Sequence, residues 1–111
     1  MKLINPTDLH LDAAFAEHVA GWMQCERLGR MVWYDPEGGH EINPPRFTES
    51  ADLVLPALEK QRAWVCEKTW DSDEYTVRVS NPLAITARSI SFAKAAVIAL
   101  LRAHGVEVEF N

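Results

Sequence analysis

The sequence predicts an α+β fold in which helices pack on an antiparallel sheet, an α/β/α sandwich-like arrangement. Residues 91–105 form a very apolar helical run whose first ten positions contain Lys94 as their only charge. Such a helix must be covered on nearly every side. In residues 62–81, apolar and polar side chains alternate on two arms around an acidic turn, which is the pattern of a hairpin. We therefore expect the order α-β-β-α-β-β-α, with an optional short C-terminal strand.

The first helix is predicted over residues 7–22. Its apolar face consists of four residues at spacings of four, four and three, namely Leu11, Phe15, Val19 and Trp22. This is the periodicity of an amphipathic helix that faces a core. Thr7 or Asp8 can cap its start, and Gly21 favours its end.

Two short strand segments are predicted next, over residues 23–34. Gly29 lies between them and permits a tight turn or a bulge, so the segments form either a hairpin or one kinked strand. Residues 35–47 are rich in proline, glycine and polar side chains. They are predicted to be a long connection.

A second helix is predicted over residues 48–61, with Thr48 or Ser50 as its N-cap. Four residues supply its apolar stripe, namely Leu53, Val54, Ala57 and Leu58. Pro56 has no amide hydrogen, and its ring crowds the preceding turn. The helix therefore either kinks at Pro56 or begins near Leu55 after a 3₁₀ turn.

The hairpin of residues 62–81 is predicted to meet the helices with one face. On the first arm Trp64, Cys66 and Trp70 fall on one side, and on the second arm Tyr75, Val77 and Val79 alternate with polar residues. Residues 81–88 are predicted to be a connection because the Asn81-Pro82 pair ends the strand. Ser89 or Ser91 then caps the third helix, and residues 106–110 form either an edge strand or an ordered tail.

Size and charge limit the classes of protein to which the chain can belong. Its 111 residues suffice for one domain, spanning residues 1–111, that buries roughly two thirds of its unfolded surface. The net charge of −5 repels a polyphosphate backbone and disfavours duplex nucleic-acid binding. We expect a cytoplasmic protein without a membrane anchor, because no apolar run approaches about 20 residues. In a reducing compartment Cys25 and Cys66 are expected to be buried thiols.

Three segments resemble one known family. The segments are "LDAAFAEHVAGW" (11–22), "PRFTESADLVLPALEKQ" (45–61) and "FAKAAVIALL" (92–101). They resemble the small bacteriophage proteins grouped as the phage ABA sandwich domain, over nearly the whole chain. The resemblance implies a phage or prophage origin and the same fold, but no activity and no functional residues. The sequence departs from the family at Pro56 and in the terminal "VEVEFN".

No residue pattern indicates catalysis, a metal or a cofactor. The histidines His10, His18, His40 and His104 do not stand at metal-ligand spacing, and three or four convergent ligands would be needed. The "DSDE" of residues 71–74 lacks the glycine and distal glutamate of a calcium loop. We therefore expect a protein that is not an enzyme and holds no metal or cofactor.

One hypothesis is that the chain blocks a host protein, in host takeover or counter-defence, by presenting carboxylates to a basic partner. The candidate contacts are Glu26, Glu37, Glu41, Asp71, Asp73 and Glu74, with the indoles of Trp33 and Trp70, which are expected at the surface beside loops.

A second hypothesis is a sponge that sequesters a nucleotide signal. Guanidinium groups hold phosphates and indoles stack on bases. The candidate arginines are Arg27, Arg30, Arg46, Arg78 and Arg88. A third hypothesis is a purely structural role, and the sequence leaves the oligomeric state open.

Overall fold

The computed structural model describes residues 2–80 and 84–111. The elements in chain order are β1 (Lys2–Ile4), α1 (Asp8–His18), β2 (Met23–Arg27), β3 (Arg30–Tyr34), β4 (His40–Glu41), a 3₁₀ turn (Phe47–Glu49), α2 (Ala51–Glu59), β5 (Ala63–Glu67), β6 (Tyr75–Ser80), β7 (Ala84–Ser89), α3 (Phe92–Ala103) and β8 (Glu107–Glu109). Within these ranges β2–β3–β4 and β5–β6–β7 form antiparallel sheets, and β1 pairs with β8 in parallel. The predicted α+β class is confirmed.

Helix α3 lies at the centre of the molecule. It contacts β6 and β7 of one sheet, and also α1, α2, the 3₁₀ turn and β8. The hydroxyl of Ser91 accepts a hydrogen bond from the Lys94 amide at 3.3 Å, which confirms the predicted cap. The Lys94 ammonium lies 2.9 Å from the carboxylate of Asp8 at the start of α1. The charge inside the apolar run is thus satisfied at the α1–α3 interface.

The β5–β6–β7 sheet presents one face to α3 and leaves the other open. Val77 and Val79 are fully buried, and Ala87, which pairs with Val77, is also buried. On the opposite face Arg78 and Arg88 are exposed. The alternation predicted for the second hairpin is therefore confirmed in β6.

Three strands were not predicted from the sequence. One is β4, which lies in the predicted connection of residues 35–47 and pairs with β3. Residues 84–88 were predicted to be a connection, but Ala84–Ser89 is strand β7, because Ile85 and Ala87 alternate toward the core and complete the sheet beside β6. Residues 81–83 of that segment lie outside the described residues. The third unpredicted strand is β1, which pairs with β8 in the register Lys2↔Glu107. The C-terminal segment is thus a strand, and it pairs within its own chain.

The two flanking helices begin near the predicted residues. The Thr7 hydroxyl accepts the His10 amide at 3.2 Å and caps α1. Ser50 occupies the N-cap position of α2, which runs from Ala51 to Glu59 with Pro56 inside it. Of the two alternatives for this helix, the start near Leu55 is wrong. The 3₁₀ turn precedes Ala51 instead, and the Pro56 side chain is exposed on the outer surface of the helix.

A buried carboxylate joins α1 to the segment before α2. Asp12 is fully buried, and its Oδ1 accepts the Thr48 amide at 2.8 Å. Its Oδ2 accepts Arg46 Nε at 2.9 Å, and the same guanidinium contacts Glu49 at 2.9 Å. A buried carboxylate is stable only with such partners. Asp12 therefore fixes where residues 46–48 lie against α1.

We predict that Asp12→Ala lowers the free energy of unfolding by about 3 kcal/mol, because it leaves the buried Thr48 amide unpaired and removes the partner of Arg46. Glu49→Gln is the matched control, since Glu49 is an exposed partner of the same guanidinium and its loss costs below about 1 kcal/mol. Urea unfolding measures both. Equal destabilisation by the two variants would contradict the assigned role of Asp12.

Candidate functional site

A concave site lies on the open face of the β5–β6–β7 sheet, beside the turn that joins β5 to β6. Its cavity of about 390 Å³ is lined by Glu67, Thr69, Asp71, Ser72, Glu74, Thr76, Arg78 and Arg88. The lining combines three carboxylates, three hydroxyls and two guanidinium groups. Such a surface can bind polar or charged groups, since nearly all of its side chains donate or accept hydrogen bonds.

The strand register explains why these side chains meet. Glu67 of β5 pairs with Thr76 of β6, which pairs in turn with Arg88 of β7, so the three side chains form one row across the sheet. Arg78 pairs with Thr86 in the next row on the same face. The two arginines are therefore diagonal neighbours, with Cα atoms about 7–8 Å apart.

Arg78 and Arg88 have no partner among the residues that the structure describes. In the described part of the chain, no carboxylate lies within 4.0 Å of the Arg78 or Arg88 guanidinium, and neither side chain donates a hydrogen bond. Their donors therefore face solvent. This distinguishes them from Arg102, whose guanidinium donates to the carbonyls of Val108 and Thr86 and fastens β8 and β7 to α3.

The acidic turn, defined as residues 71–74, forms one wall of the site. Its conformation is fixed locally, because the Ser72 hydroxyl accepts the Glu74 amide at 3.1 Å and the Ser72 amide donates to the Thr69 carbonyl. Asp71, Asp73 and Glu74 are all exposed. Trp70, directly before the turn, is 98% exposed, as expected for a surface indole.

The other candidate carboxylates lie on a different sheet. Glu26 is on β2, Glu41 is on β4 and Glu37 lies in the connection between β3 and β4. All three are exposed, but none lines the site. The acidic candidates therefore belong to two separate structural elements rather than to one.

The expectation that Trp33 lies at the surface is wrong. Trp33 is only 6% exposed and belongs to the same buried cluster as Leu11 and Phe15 of α1. It pairs with Glu41 in the sheet, and its face of the β2–β3 hairpin is turned toward α1. The indole packs in the core, so the structure does not support the binding role proposed for Trp33 from the sequence.

The five candidate arginines do not form one site either. Arg46 is held by Asp12 and Glu49, so it serves the fold. Arg27 and Arg30 pair with each other at the tip of the β2–β3 hairpin. Only Arg78 and Arg88 share the cavity, and no indole lines it.

Four lining residues were not named as candidates from the sequence: Glu67, Thr69, Ser72 and Thr76. The alternation of the hairpin already placed Glu67, Thr69 and Thr76 on its outward side. These three polar residues lie on the side of the hairpin opposite its apolar residues, and that pattern could have identified them as candidates.

Both cysteines are free thiols. Cys25 is exposed on β2, which contradicts the prediction of a buried thiol and follows from the exposure of every β2 residue. Cys66 is partly buried, and burial, followed by the charge of Glu67, raises the pKa of its thiol. Among the residues described, no three His, Cys, Asp or Glu side chains are grouped as a metal site would need.

A solved structure shares the fold of this chain. No family model and no curated protein matches the chain. The fold matches a phage protein from Bacillus cereus ATCC 14579, with a TM-score of 0.74 and 13% sequence identity, over 92% of this chain and 91% of that one. In the described ranges no helix is long and apolar enough to cross a membrane. The chain thus shares its fold with a phage protein.

Proposed function

We propose that the protein is a small non-enzymatic accessory protein of phage or prophage origin, a member of the phage ABA sandwich family, that binds and blocks a host protein. In this proposal it acts in the host cytosol, and the acidic turn faces a basic surface of the partner. The structural match to a phage protein supports the origin. The resemblance of the segments 11–22, 45–61 and 92–101 to the family supports the membership.

The observation that carries the proposal is the exposure of Trp70. An indole that is 98% exposed contributes nothing to the core and leaves a large apolar surface in water. Tryptophan is among the residues most enriched at the energetic centres of protein interfaces. Its position directly before the acidic turn joins an apolar anchor to a charged surface.

The acidic turn adds negative charge beside the apolar anchor, Trp70. Asp71, Asp73 and Glu74 place three carboxylates within four residues, and none of them forms an ion pair within the described residues. Unpaired carboxylates on an acidic protein steer a basic partner during encounter and select against acidic ones. The proposed partner is therefore a host protein with a basic surface that surrounds an apolar pocket.

We predict that replacing Asp71, Asp73 and Glu74 together by serine weakens partner binding about tenfold or more, and that Trp70→Ala weakens it roughly 30-fold. The immobilised protein is used to capture partners from a bacterial host lysate. The captured protein is identified by mass spectrometry, purified and titrated against each variant.

The matched control replaces Glu26, Glu37 and Glu41 by serine, which removes the same charge from the other sheet. Wild-type affinity in this control, with loss in the turn variant, supports the proposal. Equal affinity of the turn variant and the wild type would contradict it.

The cavity favours a second candidate function, the capture of a nucleotide. Arg78 and Arg88 are free to contact phosphate oxygens, for which guanidinium groups are suited. The carboxylates of Glu67, Asp71 and Glu74 repel a bare phosphate but accept hydrogen bonds from hydroxyl or amino groups. The lining therefore fits a ligand that carries a phosphate together with hydrogen-bond donors, as a nucleotide does.

We predict that adenosine monophosphate binds the wild-type protein more tightly than inorganic phosphate does, and that Arg78→Gln with Arg88→Gln lowers its affinity at least about tenfold. Calorimetric titration measures both. Lys60→Gln with Arg62→Gln is the control, because it removes the same charge at exposed positions outside the cavity. An equal loss in the control, or no binding by the wild type, would contradict nucleotide capture.

A further inference from the structure

The tip of the β2–β3 hairpin combines features that are each unfavourable for folding. Leu28 and Gly29 form the two-residue turn, with φ of 52° and 79°. The left-handed region suits Gly29, but a leucine pays a steric cost there, and asparagine or aspartate is the usual residue. The Leu28 side chain is also 97% exposed. Neither property of Leu28 helps the hairpin to form.

The charges beside Leu28 add a further cost. Arg27 and Arg30 lie directly opposite each other in the ladder, where like charges destabilise a strand pair. In the described residues no carboxylate lies within 4.0 Å of either guanidinium. The tip therefore carries two unpaired positive charges on a chain whose net charge is −5.

The residues next to the tip do not compensate these costs, since the hairpin joins the core only farther along β3, at Val32 and Trp33. Every residue of β2 is exposed, and Met31, next to Arg30, is 52% exposed. Local features that oppose folding without a structural return are characteristic of functional surfaces. The tip has the composition of a contact: an apolar side chain between two arginines.

We propose that this tip docks onto the acidic turn and Trp70 of a second copy of the chain. The two surfaces are complementary in both respects. Two guanidinium groups meet the carboxylates of Asp71, Asp73 and Glu74, and the exposed Leu28 side chain meets the exposed indole of Trp70. Arginine and carboxylate pair with directional hydrogen bonds, and contact between the two apolar side chains removes both from water.

The arrangement of copies follows from symmetry. If each copy gives its tip and receives the partner's tip, the contact closes a dimer around a two-fold axis. If the exchange runs in one direction, it produces a longer assembly. The inference does not depend on the proposed function, but both use the acidic turn, so the tip of a second copy and a basic host protein compete for the same surface.

Sedimentation analysis of the full chain over a range of concentrations, at low and high salt, tests the proposal. We expect reversible association that weakens as salt screens the charges. Arg27→Glu with Arg30→Glu abolishes it, and so does Asp71→Arg with Asp73→Arg. Mixing these two charge-reversed proteins restores association between them. The control, Lys60→Glu with Arg62→Glu, makes the same net charge change at other exposed positions and leaves association intact.

The Leu28→Asn variant distinguishes an effect on the contact between copies from an effect on folding. Asparagine tolerates the left-handed conformation, so the melting temperature stays level or rises, while association weakens at least about tenfold. A wild type that remains monomeric at every concentration in low salt would overturn the proposal, as would association that survives reversal of both tip arginines. Capture of a host protein by Leu28→Asn at the wild-type level would show that host binding stands apart from self-association.

Discussion

The burial of α3 is the constraint on which the rest of the structure depends. Eight of its twelve residues are buried, so water is excluded from nearly its whole circumference and several elements must supply the cover. Four of those eight are alanines, Ala93, Ala95, Ala96 and Ala99, whose small side chains allow close packing of neighbouring elements. The inner face of the β5–β6–β7 sheet packs on this helix and is therefore not accessible to a partner. The open face, the connecting turns and the outer hairpin are what remain for recognition.

Asp12 adds specific polar contacts to this apolar packing. Burial alone does not specify how the connection before α2 lies on α1, whereas a carboxylate that needs the Thr48 amide and the Arg46 guanidinium does. Asp12 thus has a structural role in the first helix, since its carboxylate fixes a tertiary contact.

Local patterns predicted the helices and the second hairpin, while contacts distant in sequence were not predictable. Caps at Thr7 and Ser91 and the alternation in β6 follow from neighbouring residues. Strand β1 has only three residues and exists through pairing with β8 at the other end of the chain. Arg46 and Asp12 are 34 positions apart, so the sequence could not show that Asp12 binds this arginine within the fold. Arg78 and Arg88 are neighbours only because Arg88 lies on β7. The segment that contains β7 was predicted to be a connection, so this proximity was not predicted.

Helix α3 and the sheet that covers it form the packed centre, whereas the tip of the β2–β3 hairpin and the acidic turn lie outside the core. Native-state hydrogen exchange, resolved for each amide by NMR, tests this division most directly. We predict that the amides of Val97 to Leu101 exchange only through global unfolding, while those of residues 28–30 and 71–74 exchange through local opening at much lower free energy. Exchange in α3 as fast as at the hairpin tip would contradict this division.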